Sequence, residues 1–165
     1  QAELYSLVLA AQQAAIDQVQ PGNNWNQPHE AALVVLTEGL IRLGLLQGEV
    51  DEALETGTYK KYCMHKTGHW LGLDVHDVGE YKVGGEWRVF EEGMITTIEP
   101  GLYIAEDCDD APARYRGIGV RIEDNVLVTK TGNEVITATT PKTINEIESV
   151  MALSIQQIDS QDSLE

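Results

Sequence analysis

What most limits how this chain can fold is a change of period near Tyr59. Before it, apolar residues recur at helical spacing; after it, the sequence is extended and punctuated by glycine. From Ala2 to Val19 the residues Leu4, Leu7, Val8, Ala11, Ala14, Ala15 and Val19 follow three- and four-residue steps. They form one face of an amphipathic helix that stops at Pro21-Gly22. Pro28, placed in a first helical turn, opens a second helix running to Leu43, with Gly44 as its C-terminal cap. A short third helix is expected over Val50 to Glu55, ahead of Gly57.

Beyond Tyr59 the strand signals take over. Met94 to Glu99 is rich in β-branched residues and ends at the turn pair Pro100-Gly101. Gly119 to Asp124 reads as a second strand, which Asn125 to Thr129 carries on until the turn at Lys130 to Asn133. Val135 to Ala138 is a short further strand. Thr143 with Glu146 three residues on is a capping box for a final helix. Its residues Ile144, Ile147, Val150, Met151 and Ile155 are expected to face inward, and the tail from Ile158 to be frayed. Helices first, strands in the middle and a helix last predict an α+β fold, with helices packed on one face of a largely antiparallel sheet. No internal repeat or linker divides residues 1–165, so a single domain is expected. At 42% hydrophobic there is enough apolar material for one core.

Charge and composition remove several functions. A net charge of −16 argues against nucleic acid and against anionic membrane surfaces as partners. No run of about 18 apolar residues is available to span a bilayer. Cys63 and Cys108 make neither a disulfide framework nor a CxxC knuckle, and the acidic N-terminal stretch lacks a basic leader. Reduced thiols in the cytoplasm are the expectation. The chain does not begin with Met, so a fragment or a processed product is expected.

The chemistry concentrates in Met64 to Gly79, MHKTGHWLGLDVHDVG, where His65, His69 and His76 fall among glycines and aspartates. Gly68 and Gly72 each cost a helix about 1 kcal/mol, so a loop leading into a strand is the better reading. Leu71, Leu73 and Val75 then alternate with Gly72, Asp74 and His76, the pattern of a half-buried strand. Glu99 closes its strand where the sheet opens. Period two places Arg121 and Glu123 on one face with Ile122 opposite. Two glutamates and a histidine converging in a cleft repel by roughly 4 kcal/mol at 4 Å and an effective dielectric of about 20. A shared proton or a divalent cation removes that repulsion, and carboxylates with one imidazole suit Mn²⁺ better than Zn²⁺. Singly, each residue has a plainer reading. A lone strand histidine is more often a satisfied structural group, and Glu before Pro-Gly is common at turns. Trp70 and Trp87 read as packing residues, and His29, at a helix start, as a surface group. The ordered combination carries the weight.

HWLGLDVHDVG, followed by TIEPGLYIA and RGIGVRIEDNVLVT, closely resembles aminopeptidase P, the Xaa-Pro aminopeptidases of the pita-bread metallopeptidases, from about Tyr5 to Met151. The resemblance implies a pita-bread fold, in which helices wrap a curved antiparallel sheet. This chain would be the C-terminal portion of that catalytic domain. It implies two divalent ions, usually Mn²⁺, held by two aspartates, one histidine and two glutamates. On motif match the metal ligands are His69, Glu99 and Glu123, with Glu123 shared by both ions. His65 and His76 match the non-ligand histidines that line the substrate site, and Arg121 matches an arginine behind the ligands. The implied reaction is metal-assisted hydrolysis of peptides with proline in second position. Glu99 would relay the proton and His76 steady the carbonyl. A homo-oligomer would also be in keeping with the family.

The chain departs from the pattern in its aspartates. Before His65 it offers only Asp17 and Asp51, both in helical contexts, so three of five ligands are matched and the chain alone is expected to bind metal weakly and hydrolyse little. Lys66 stands where some relatives have glycine, which alters the rim. Two other readings stay open: a prolidase-like dipeptidase of the same fold, and a peptide-binding module without catalysis.

Overall fold

The computed structural model describes the backbone of residues 1–162 and the side chains of residues 1–153. Helix α1 (Ala2–Ile16) buries Leu4, Leu7, Val8, Ala11 and Ala15, the face that the spacing predicts, and leaves Ala14 half-buried. It ends earlier than expected, in a turn, yet Val19 still reaches the core. Helix α2 (Gln27–Arg42) packs directly on α1. Their contact is close because residue 39 is glycine: a Cβ there would lie 2.2 Å from Leu7 Cδ1. Helix α3 (Val50–Thr56) stops at Gly57, whose φ of 74° only glycine adopts freely.

The strands form short antiparallel sheets. β1 (Lys82–Val83) and β2 (Glu86–Trp87) make an exposed hairpin whose two-residue turn, Gly84-Gly85, has positive φ at both positions. The core strands, in two small sheets, are β3 (Ile95–Ile98), β4 (Gly101–Ile104), β5 (Ile118–Arg121), β6 (Asp124–Val128) and β7 (Asn133–Val135). β6 lies between β3 and β7, and β4 pairs with β5. The continuous strand expected from Gly119 through Thr129 is therefore two strands, broken at Ile122-Glu123. The strand expected over Val135 to Ala138 begins earlier, at Asn133, and has turned by Thr137.

Helix α1 lies across this sheet. Its buried Gln12 donates from Nε2 to the Ile98 carbonyl at 3.3 Å, and the core joins Leu4, Val8 and Ala11 to Ile98, Leu102 and Val126. Behind the sheet, the buried Asp124 carboxylate pairs with Lys142 Nζ and accepts the Thr137 hydroxyl. Tyr5 fastens the same loop to α1 through its hydroxyl and the Lys142 carbonyl, 2.7 Å apart. The capping box opens α4 (Ile144–Asp162) as expected: Thr143 Oγ1 accepts from the Glu146 N–H, and Glu146 Oε2 accepts from the Thr143 N–H. The inward stripe fails beyond its first turn. Ile144 and Ile147 are half-buried, whereas Val150 and Met151 are exposed, because the helix runs off the edge of the core. Ile155 and the tail side chains lie outside the described residues, although the backbone helix reaches Asp162.

His29 is not the surface group its position suggests. It is half-buried, with Nδ1 2.8 Å from the hydroxyl of the buried Thr67. Burial, and then the charges of Lys66 and His65, lower its pKa to about 4 from 6.5. A histidine lowered in this way costs stability wherever the unfolded chain takes up a proton that the folded chain refuses. Its contribution is whole above pH 6.5 and is lost as pH falls toward 4, by up to about 3 kcal/mol. Denaturant unfolding of wild type and His29→Gln, compared at pH 7.5 and pH 4.5, should show the variant losing less stability on acidification. Equal losses would contradict this.

A candidate metal centre

Pro100 sets the position of the site. Having no N–H, it cannot donate to a ladder, and the antiparallel ladder between residues 95–104 and 118–128 is interrupted there. The register does not slip across the gap. Ile98 faces Asp124 on one side and Gly101 faces Arg121 on the other. Carried through, it sets Glu99 opposite Glu123 and Pro100 opposite Ile122, where one long bond survives, from the Ile122 N–H to the Pro100 carbonyl at 3.4 Å. Directly opposed residues point to the same face with Cβ atoms about 4.5–5.5 Å apart. Two like charges are thus forced together by strand geometry. Glu99 is buried and Glu123 exposed, so the pair spans the wall of the cleft.

The third group arrives on the other edge of β3. Residues 67–71 run antiparallel to that strand: Thr97 N–H donates to the His69 carbonyl at 3.0 Å, Glu99 N–H to that of Thr67 at 2.6 Å, and Leu71 N–H to that of Ile95 at 3.2 Å. Gly68 makes the approach possible, since a Cβ there would stand 2.0 Å from the Thr97 carbonyl oxygen. This edge replaces the strand expected over Leu71 to His76. There the chain is a loop in which Leu73 and Val78 are almost fully exposed. The loop closes on itself as the Gly72 N–H meets the Asp74 carbonyl and the Asp77 N–H returns to that of Trp70. A Cβ on Gly72 would collide with the Asp77 carboxylate at 1.8 Å. The closure carries the exposed His76 back against His69, ring centroids 4.3 Å apart. Trp70 is a packing residue, as expected, joined to Trp25, Tyr81 and Phe90. Trp87 instead lies half-buried on the hairpin under Lys82 and Lys66.

One ligand atom each from His69, Glu99 and Glu123 falls within a 4.8 Å group. The hydrogen bonds around His69 settle which nitrogen is free. Nδ1 lies 3.0 Å from the Trp70 carbonyl, which can only accept, so Nδ1 carries the proton and a neutral ring turns the Nε2 lone pair inward. Nε2 is 3.3 Å from Glu99 Oε1. That oxygen already accepts from the Thr97 hydroxyl, which in turn accepts the His69 backbone N–H. Two electron-rich atoms therefore face each other and need a proton or a cation between them. A neutral imidazole and two carboxylates fit a divalent ion.

Arg121, exposed on the other side, directs Nη1 to Glu99 Oε2 at 3.5 Å. Its Nε donates to the Tyr103 hydroxyl at 2.7 Å, which donates to His65 Nε2 at 2.9 Å, while His65 Nδ1 donates to the Lys66 carbonyl. So His65, His76 and Arg121 all join the group, His65 through an intermediary. Sequence reasoning missed Tyr103 and Thr97. Thr97 shares a strand face with Glu99 by period two, and Tyr103 had a signal in its glycines. Gly101 lies two residues before it, where a Cβ would meet the hydroxyl at 2.6 Å, and Gly119 is its cross-strand partner. Asp17 bonds Gln13 at the end of α1, and Asp51 lies in the first turn of α3; neither belongs to the group.

Residues 1–130 match the model of metallopeptidase family M24. The chain is 50% identical over 151 residues to the Xaa-Pro aminopeptidase of Haemophilus influenzae, a match covering 92% of this chain and 35% of that one. Among solved structures it resembles aminopeptidase PepP of Pseudomonas aeruginosa, at 56% identity and a TM-score of 0.92, over 94% of this chain and 35% of that chain. Aminopeptidase P from E. coli with the inhibitor Pro-Leu follows at 42% identity and a TM-score of 0.88, over 93% and 35%. The chain spans about a third of the length of these relatives. With its pita-bread architecture and its His–Glu–Glu group in place, the chain belongs to metallopeptidase family M24.

Proposed function

We propose that this chain supplies one histidine and two glutamates to a two-metal site that removes the N-terminal residue from peptides with proline second. The observation that carries this reading is the convergence of His69, Glu99 and Glu123 at the ladder break. His69 would bind through Nε2, and the carboxylates of Glu99 and Glu123 would complete this side, with Mn²⁺ as the resident ion. When bound, divalent ions supply Lewis acidity and lower the pKa of water to near neutrality. Two further aspartates are needed for the full ligand set; among the described residues no aspartate joins His69, Glu99 and Glu123, so hydrolysis belongs to a polypeptide that also brings them. Substrate peptides of the cytoplasm are the proposed partners, in a homo-oligomeric protein.

The chain's own residues have separable tasks. Glu99, fixed by Thr97 on one oxygen and Arg121 on the other, is placed to take and return a proton. His76, exposed beside His69, is placed to donate to a peptide carbonyl as charge develops on its oxygen. Tyr103 and His65 hold the Arg121 guanidinium toward Glu99. Proline's absent N–H and fixed φ demand a site that recognises the bond without that donor.

The protein encoded by the complete reading frame containing this chain, loaded with Mn²⁺, should release alanine from Ala-Pro-Ala. His69→Ala should lower both Mn²⁺ affinity and kcat/KM by at least about 10–100-fold. Absence of release from any Xaa-Pro peptide would leave a non-catalytic peptide-binding module. Turnover of Ala-Pro well above Ala-Pro-Ala would assign a dipeptidase instead.

Tyr103→Phe should cut kcat about 10–100-fold with KM and Mn²⁺ stoichiometry little changed, because it frees Arg121 without touching a ligand. A kcat within twofold of wild type would remove Tyr103 from the machinery.

A further inference from the structure

In a chain with 11 Lys and Arg against 27 Asp and Glu, a place where cations gather without an ion pair is conspicuous. One such place adjoins the candidate site. A cleft of about 290 Å³ opens between the start of α2, the turn at Thr58–Lys61 and the residues leading to His69. Lys60, Lys66, His29 and His65 line it with Tyr59 and Met64, and no carboxylate does. Among the described residues neither Lys60 nor Lys66 forms an ion pair, although Lys61, Arg116, Arg121 and Lys142 all do. The one hydrogen bond from Lys66 Nζ is long, 3.4 Å to Asn26 Oδ1. Lys66 and Lys82 lie 5.6 and 4.3 Å from the centroid of the Trp87 ring, which brings a third ammonium to the rim.

Burial pushes the Lys66 pKa down; the Glu30 carboxylate, held by the Asn26 amide at 2.7 Å, opposes it, and the charges of Lys60 and Lys82 lower it further. His29 adds no charge at neutral pH, since its pKa is near 4. Glu30 offsets part of this repulsion without pairing with either lysine, and like charges left without an ion pair are relieved further by an anion. His65 is shared with the candidate site through its bond to Tyr103, so an occupant of the cleft would lie beside a bound substrate.

We propose that this cleft is a carboxylate subsite for the C-terminal side of a bound peptide, taking its terminal carboxylate or an acidic side chain downstream of proline. The inference rests on the aminopeptidase reading, and the polarity of a peptide gives its direction. The N-terminal ammonium is repelled by Lys60 and Lys66, and only the opposite end brings a matching charge. The preferred substrates are then short Xaa-Pro peptides, or longer ones with Asp or Glu after proline.

The test is calorimetric binding to the Mn²⁺-loaded protein of the complete reading frame. The probes are Pro-Ala, Pro-Ala-Ala and Pro-Ala-Ala-Ala, which carry no Xaa-Pro bond, each as free acid and as amide. At one length the acid should bind at least about tenfold more tightly than the amide, as expected for a charge-assisted contact. A Lys60→Gln/Lys66→Gln double variant should bring that ratio to about one, and Glu30→Gln should raise it. A further peptide pair, Pro-Ala-Glu-amide and Pro-Ala-Gln-amide, separates a side-chain carboxylate from a terminal one. A ratio near one at every length, with no preference for Glu over Gln, overturns the proposal, and so does an acid preference that survives the double variant. An acid preference lost in the double variant, in a protein that cuts no Xaa-Pro peptide, supports the subsite while refuting the hydrolytic reading.

Discussion

Two carboxylates held face to face across one rung of a β-ladder dominate this structure. Glu99 and Glu123 are brought together by register, which Ile98–Asp124 and Gly101–Arg121 fix on either side of Pro100. A ladder alone would favour opposite charges at such a rung. The sheet accepts the like pair because Pro100 has already removed a hydrogen bond there, and because other groups are assembled around the break. Arg121 approaches from one side and the His69 imidazole from the other. The lone pair on His69 Nε2 adds to the excess of acceptors, which is the condition a divalent cation satisfies.

Much of the remaining fold serves to hold that arrangement still. Gln12 of α1 caps the Ile98 carbonyl from beneath. Asp124, next to Glu123 and facing the other way, is locked to Lys142 and Thr137, which keeps the strand from rotating. Trp25, Trp70, Tyr81 and Phe90 form an aromatic block behind His69. Glycines at 68 and 72 are spacing devices: one lets the His69 segment lie against β3, and the other lets the following loop fold back with His76. Packing, register and chemistry are thus stages of one construction, in which the apolar core positions the polar atoms.

The sequence was informative where one residue type has one physical meaning. Helical spacing located α1, α2 and α3 to within a few residues, and the Thr143–Glu146 capping box was legible from two letters. The convergence of His69, Glu99 and Glu123 was anticipated from ordered motifs, and the geometry brings them together. Loop and long-range geometry were harder to read. Alternation over Leu71 to His76 mimicked a strand, but Leu73 and Val75 face solvent because the backbone bonds of Gly72 and Asp77 close a loop there. His29 looked superficial because its partner, Thr67, is 38 residues away. Tyr103 was missed for the same reason: Gly101 and Gly119 mark the space it fills, but its role comes from Arg121 and His65, neither of them its neighbour in sequence. In α4 the inward pattern holds at Ile144 and Ile147, which are half-buried, but not at Val150 and Met151, which are exposed.

The central claim is that the Glu99–Glu123 rung is strained by charge and relieved by a cation, and the most direct measurement is thermal unfolding with and without Mn²⁺. In the metal-free protein, Glu123→Gln should raise the unfolding midpoint, because it removes one of two opposed charges. Added Mn²⁺ should then stabilise wild type by about 2.7 kcal/mol at a hundredfold excess over Kd, and the variant by much less. A metal-free variant less stable than wild type, with equal Mn²⁺ shifts in both, would contradict the account.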